Sequence, residues 1–190
     1  MRKNIVTFFI IIFPLLLTSQ NISIEKWANY LDSLKQENKL TEQDLSYLQP
    51  NYIYNSLYDN TNELFCYFLK NRLVLIETNA TLGLDTIIRR YYLMQNSDSI
   101  IKVVERHEKY KDIFDKKSYC IKHKDKNGNC DFKSLKIHSE TISIYFGKPI
   151  EYKLQRDGKK RRFSRKLQER EAKIFIEDYH ILKGLIIGKI

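Results

Sequence analysis

The sequence predicts an α+β fold: an antiparallel sheet of β-hairpins with N-terminal and C-terminal helices packed on one face. Three observations carry this. An apolar stripe at helical spacing begins at Ile24, β-branched and aromatic runs punctuated by turn residues fill the middle, and a second helical stripe closes the chain. Strands grouped together, not alternating with helices, point to hairpins rather than a parallel sheet.

Taken in order, Ser23 is placed to cap a first helix whose Ile24, Trp27, Ala28, Leu31 and Leu34 share one face. Thr41 with Asp44 has the form of a capping box with Asp in place of Glu, so a second short helix is expected to Leu48, ended by Pro50. The stretch from Asn51 to Asn62, with Tyr52, Tyr54 and Tyr58, is expected as an ordered connection. From Leu64 the period becomes that of strands. Leu64–Leu69 and Leu73–Thr78 form one expected hairpin, about Lys70-Asn71-Arg72. Thr86–Gln95 and Ser99–Glu108 form a second about Asn96-Ser97-Asp98, and Ile137–Phe146 with Ile150–Leu154 a third about Gly147-Lys148. Alternation at Ile142, Ile144 and Phe146 implies one wet face. Residues 109–134 read as a polar, Lys-rich interruption. Ser164 is placed to cap a last helix to about Lys183, with Ala172, Phe175, Ile176, Tyr179 and Leu182 on one side. Gly184 is expected to stop it, leaving Leu185-Ile186-Ile187 to dock as a final strand.

Length and composition agree with one domain over residues 20–190, since 190 residues with 43% hydrophobic content can bury a core. Residues 1–19 read as a secretory signal peptide: Arg2 and Lys3 lead, Ile5 to Leu17 is an apolar run broken by Thr7 and Pro14, and Thr18-Ser19 follow. Thirteen residues with a proline are short for a membrane span, which needs about 20. Cleavage is expected near Ser19, giving an exported protein of the periplasm or extracellular space with no integral membrane segment in the mature chain. Its net charge falls from +10 to +8 with the loss of Arg2 and Lys3.

Export permits disulfides. Cys120 and Cys130 enclose nine residues and are expected to pair, with Cys66 a buried free thiol in an apolar run. Asn127-Gly128 is also a type I′ hairpin signal, and that register would set Cys130 opposite Asp125 and Cys120 opposite Leu135. The bridge and the tight hairpin exclude each other, and the bridge is favoured.

Tyr91-Tyr92-Leu93, Ile101-Lys102-Val103-Val104-Glu105 and Tyr145-Phe146-Gly147-Lys148-Pro149-Ile150 resemble a pattern in small exported bacterial proteins of unknown function, in which tyrosine-rich hairpins precede a terminal helix. The resemblance covers roughly residues 60–183 and implies a fold and an address, with no catalytic motif. A cystatin-like roll of helix over sheet is a second analogy at the level of fold.

No motif assigns a metal or cofactor: His107, His123, His138 and His180 have no zinc-site spacing. Glu105 and His107, two apart on an expected strand, share a face as a base and its orienting carboxylate would, but a charged pair on the wet face is the better explanation. His123 with Asp125 allows the same reading. Asp125, Asn127, Asn129 and Asp131 alternate like a calcium loop, but Cys130 stands where the turn glycine is required. Asp32-Ser33-Leu34, Asp85-Thr86-Ile87 and Asp98-Ser99-Ile100 resemble acceptors of a bacterial O-glycosylation system. Asn21-Ile22-Ser23 and Asn79-Ala80-Thr81 match the N-glycosylation sequon.

The densest charge lies at Lys159, Lys160, Arg161 and Arg162, followed by Arg165 and Lys166. Asp157-Gly158 reads as the turn before it, and Tyr152 or Phe163 as an aromatic neighbour. Cations at the start of a helix oppose its dipole, so helix stability does not explain them. They are the candidate ligand-binding residues, for an anion; a solvated loop is the structural alternative. The leading functional expectation is therefore a non-enzymatic exported binding module for an anionic macromolecule or an acidic protein partner. The alternatives are a small basic hydrolase such as a nuclease, using His107 or His123, and a structural envelope protein.

Overall fold

The computed structural model describes residues 23–48, 62–82, 85–95, 97–110, 120–122, 124, 126–130, 137–147, 150–187 and 189. The expected signal peptide, the connection 51–61, His123, Asp125 and Asp131 lie outside them.

Helix α1 spans residues 23–36, as its apolar stripe requires. Then come β1 (Thr41–Asp44), a 3₁₀ turn (Ser46–Leu48), β2 (Asn62–Leu69), β3 (Arg72–Leu82), β4 (Asp85–Leu93), β5 (Ile100–Tyr110), β6 (Ile137–Tyr145), β7 (Glu151–Arg156), β8 (Lys159–Arg161) and helix α2 (Arg165–Ile187). The strands form one eight-stranded antiparallel meander in chain order, β1 to β8. Two-residue turns with both φ positive close β2–β3 at Lys70 and Asn71 (51° and 62°) and β7–β8 at Asp157 and Gly158 (49° and 73°). This is the type I′ geometry that matches strand twist.

The two helices pack on opposite faces of this sheet, not on one. Cross-strand partners share a face, and the register aligns Cys66, Ile76, Tyr91, Val103 and Ile144 in one row. That row is buried with Ala172, Phe175, Tyr179, Leu182 and Ile186 of α2. The next row, Tyr67, Leu75, Tyr92, Lys102 and Tyr145, lies on the other face. There Tyr67, Leu75, Tyr92 and Tyr145 are buried with Ile24, Ala28, Leu31 and Leu34 of α1. Alternation in β6 suggested a wet face, but Tyr91-Tyr92-Leu93 and Val103-Val104 are apolar at both parities, the pattern of strands covered on both sides. Register shifts at Tyr67/Phe68 and Tyr92/Leu93 insert Val74 and Ile101 as extra residues, and both are buried against α1.

Polar contacts fix each helix. On the α1 face, Trp27 Nε1 donates to the Leu93 carbonyl at 2.9 Å and Tyr92 Oη donates to Asp32 at 3.0 Å. Glu25 accepts from Tyr145 Oη (2.6 Å) and from Lys102 Nζ (3.0 Å), which lies over the Tyr92 and Tyr145 rings. Glu77 takes Lys35 and Arg90, each at 2.6 Å. On the α2 face, Arg89 bonds Glu105 at 2.8 and 2.5 Å and Asp178 at 2.5 Å, with its guanidinium over the Phe175 ring.

Two further expectations are corrected. Thr41–Asp44 is a strand, paired with Phe65–Phe68, because pairing with β2 outweighs the capping pattern. Asp44 instead caps the 3₁₀ turn, accepting from Ser46 N at 2.8 Å. Helix α2 runs through Gly184 to Ile187, and no last strand forms from 185–187. Ile186 falls one turn beyond Leu182 and is fully buried, so packing overrides the roughly 1 kcal/mol cost of a helical glycine.

The cysteines are arranged as expected: Cys120 and Cys130 are bridged and Cys66 is buried and free. A single antiparallel bridge pairs Cys130 with Lys124, so the tight Asn127-Gly128 register is not adopted. Burial pushes the Cys66 thiol up to about 12, which makes it chemically inert.

Candidate functional site

The Asp157-Gly158 turn places Lys159–Arg161 as the outermost strand of the sheet, all three residues exposed. Alternation sets Lys159 and Arg161, opposite Arg156 and Leu154, on the α2 face, and Lys160, opposite Gln155, on the α1 face. The chain then leaves the sheet through Arg162, anchored by the Phe163 ring 5.6 Å from that of Tyr152. Ser164 caps α2: its Oγ accepts from Leu167 N at 3.4 Å, and Gln168 Nε2 donates to the Phe163 carbonyl at 2.9 Å. Arg165 and Lys166 occupy a first helical turn that contains no acid, where the helix dipole is positive.

The six candidate residues, Lys159, Lys160, Arg161, Arg162, Arg165 and Lys166, are thus brought to one exposed corner. Neighbouring acids are committed elsewhere. Asp157 turns back to β6, bonding His138 Nδ1 at 2.8 Å and the Ser139 amide at 3.1 Å, and the His138 bond holds its carboxyl below the usual range. Glu140 takes Arg156 at 2.6 Å and Glu151 takes Lys153 at 3.5 Å. Among the described residues only Arg165 of the six has an ion-pair partner, Glu169 at 2.9 Å, and that pair is solvent-exposed.

The histidines converge less well. His107 and Glu105 share the α2 face as expected, but Glu105 is held by Arg89. His107 Nε2 lies 3.6 Å from Asp85 Oδ2, without a close hydrogen-bond partner among the described residues, and burial lowers its proton affinity. Two open cavities sit at the other end of the sheet. One, of about 590 Å³, is lined by Phe68, Arg72, Met94 and Asp98; the other, of about 510 Å³, by Asp98, Phe146, Tyr179, His180 and Lys183. Neither includes His107 or His138. Among the described residues no group of three or more His, Cys, Asp or Glu side chains is placed to hold a metal ion, and no helix is long and apolar enough to cross a membrane.

Of the glycosylation patterns, Asp98-Ser99 is exposed in the β4–β5 turn, while Asp32 is engaged by Tyr92 and Asn79 Nδ2 donates to Glu63. Comparison with family models, curated proteins and solved structures finds no match.

Sequence reading located the charge but missed that it forms a sheet edge. Asp157-Gly158 was the available signal, since a type I′ turn has a strand on each side. The Arg89–Glu105–Asp178 cluster was also missed. Its members lie up to 89 positions apart, and no local pattern links them.

Proposed function

We propose that this protein is an exported, non-enzymatic binding module whose cationic edge, Lys159 to Lys166, takes an anionic macromolecule or an acidic protein partner. The observation that carries the reading is a run of exposed cations whose neighbouring acids, Asp157, Glu140 and Glu151, are already occupied. Crowded like charges repel one another, and the positive end of α2 adds to that repulsion. A bound anion relieves both. The Cys120–Cys130 bridge supports the exported address, since such bonds persist outside the cytosol. A basic hydrolase draws no support from His107, whose orienting carboxylate is committed to Arg89.

The test is elution from sulfated-polysaccharide and polyglutamate matrices across a salt gradient, parent against Lys160→Ala/Arg161→Ala/Arg162→Ala. The parent is expected to be retained longer on at least one matrix. Identical elution of the two proteins on both would falsify the reading. Export is checked by intact mass: a chain lacking residues 1 to about 19 is expected, and a membrane-bound chain that still begins at Met1 would reject it.

A further inference from the structure

Resting on that reading and narrowing its partner, we infer that the cationic edge β8 pairs with the acidic edge β1 of a second copy, extending the sheet from copy to copy.

Among the described residues the meander is open, and its two outer strands differ in charge. β8 reads Lys-Lys-Arg, whereas β1 reads Thr-Glu-Gln-Asp, with Glu42 and Asp44 exposed. Each edge repels its own kind, which blocks β8-to-β8 and β1-to-β1 pairing. Unlike edges attract.

Backbone direction agrees with charge. In a two-residue hairpin the flanking residues, here Arg156 and Lys159, form the hydrogen-bonded pair, so the N–H and C=O of Lys160 turn outward. On β1, the Leu45 amide donates inward to the Leu64 carbonyl at 2.8 Å. Alternation then turns the backbone groups of Asp44 and Glu42 outward. Outward residues therefore meet outward residues when the edges join.

Side-chain parity agrees as well. Lys160 points to the α1 face, and so does Glu42, the cross-strand partner of Tyr67. With eight antiparallel strands, β1 of a translated copy runs antiparallel to β8 and keeps its faces in register. Lys160 then sits opposite Glu42, while Lys159 and Arg161 face the uncharged Gln43 and Thr41. A rigid polyanion lying on one face would reach Lys159 and Arg161 but not Lys160. An in-plane strand engages the whole edge.

An association through one short strand pair is weak and reversible, and a head-to-tail interface of this kind adds further copies until a ring closes or an open array forms. The experiment is sedimentation equilibrium of the full mature chain up to about 1 mM, the range of weak interfaces, at low and high salt. The parent is expected to show a mass that rises with concentration at low salt and returns to monomer in about 1 M salt. Lys160→Glu and Glu42→Lys, each alone, are expected to weaken association about fivefold or more. Their equimolar mixture is expected to regain it, because each variant then offers an edge that matches the other. Lys160→Pro, which removes an outward N–H that edge strands can spare, is expected to bind less than Lys160→Ala. Melting curves confirm that the variants remain folded.

A parent that stays monomeric at every concentration overturns the inference, as does a mixture that fails to recover association. Equality of the Pro and Ala variants rejects strand pairing. If the parent is monomeric yet outlasts the triple variant on the sulfated matrix, the anion-binding role stands and only the partner is wrong. If retention is also identical, both fall.

Discussion

Replacing Arg89 with Ala tests the attachment of α2 to the sheet. Arg89 is 7% exposed and holds two carboxylates, Glu105 and Asp178, the second of them on α2. It also accounts for a contact with the Phe175 ring. Removing one partner of a buried ion pair costs about 3–5 kcal/mol, because the remaining charge is left without compensation. Here two like charges are left behind. With a urea m-value of about 2 kcal/mol/M for a domain of this size, the midpoint should fall by about 1.5–2.5 M. Glu105→Gln/Asp178→Asn in the Arg89→Ala background should recover part of the loss, since neutral amides are cheaper to bury unpaired. Urea denaturation followed by tryptophan fluorescence and far-UV circular dichroism measures both. A shift corresponding to less than about 1 kcal/mol would refute the reasoning, showing the cluster to be solvated as surface pairs are.

Leu31→Ala and Leu182→Ala should each cost about 2–5 kcal/mol, and as the sites lie on opposite faces the double variant should be additive within about 0.5 kcal/mol by denaturant titration. Strong coupling would contradict separate cores. Cys120→Ser/Cys130→Ser should lose about 2–3 kcal/mol by freeing the loop in the unfolded chain, while Cys66 should resist alkylation until the protein unfolds; rapid labelling of the folded protein would contradict its burial. Burial works to raise Glu77, but bonds from Lys35 and Arg90 hold it below 4.5, so its contribution is present above that value and is lost as pH falls through its folded pKa. Burial raises Asp178 above 3.8, so its contribution has the opposite sign, present below 3.8 and lost as pH rises through its folded pKa. Glu77→Gln should therefore flatten the acid limb of stability against pH, and an unchanged limb would reject the assignment.

Much of this architecture was legible in the sequence, and the exceptions share a physical origin. The α1 stripe and the hairpin turns are local signals, fixed by helical spacing and by residues that accept positive φ. The face on which each helix packs is not local. It was legible only in the doubly apolar strands, where Leu64, Phe65, Cys66 and Tyr67 run without alternation. Gly184 shows the opposite failure, a local stop signal overridden by the tertiary burial of Ile186. At the candidate site, composition located the cations. Their distribution over both faces of an edge strand depends on a register that only the folded chain defines.

The most direct test of the central claim is the location of binding, measured by hydrogen exchange of the parent with and without a polyglutamate ligand. Protection confined to residues 157–166, strongest at the outward amide of Lys160, is the predicted result. Protection centred on the cavities around Asp98, His180 and Lys183 would contradict it.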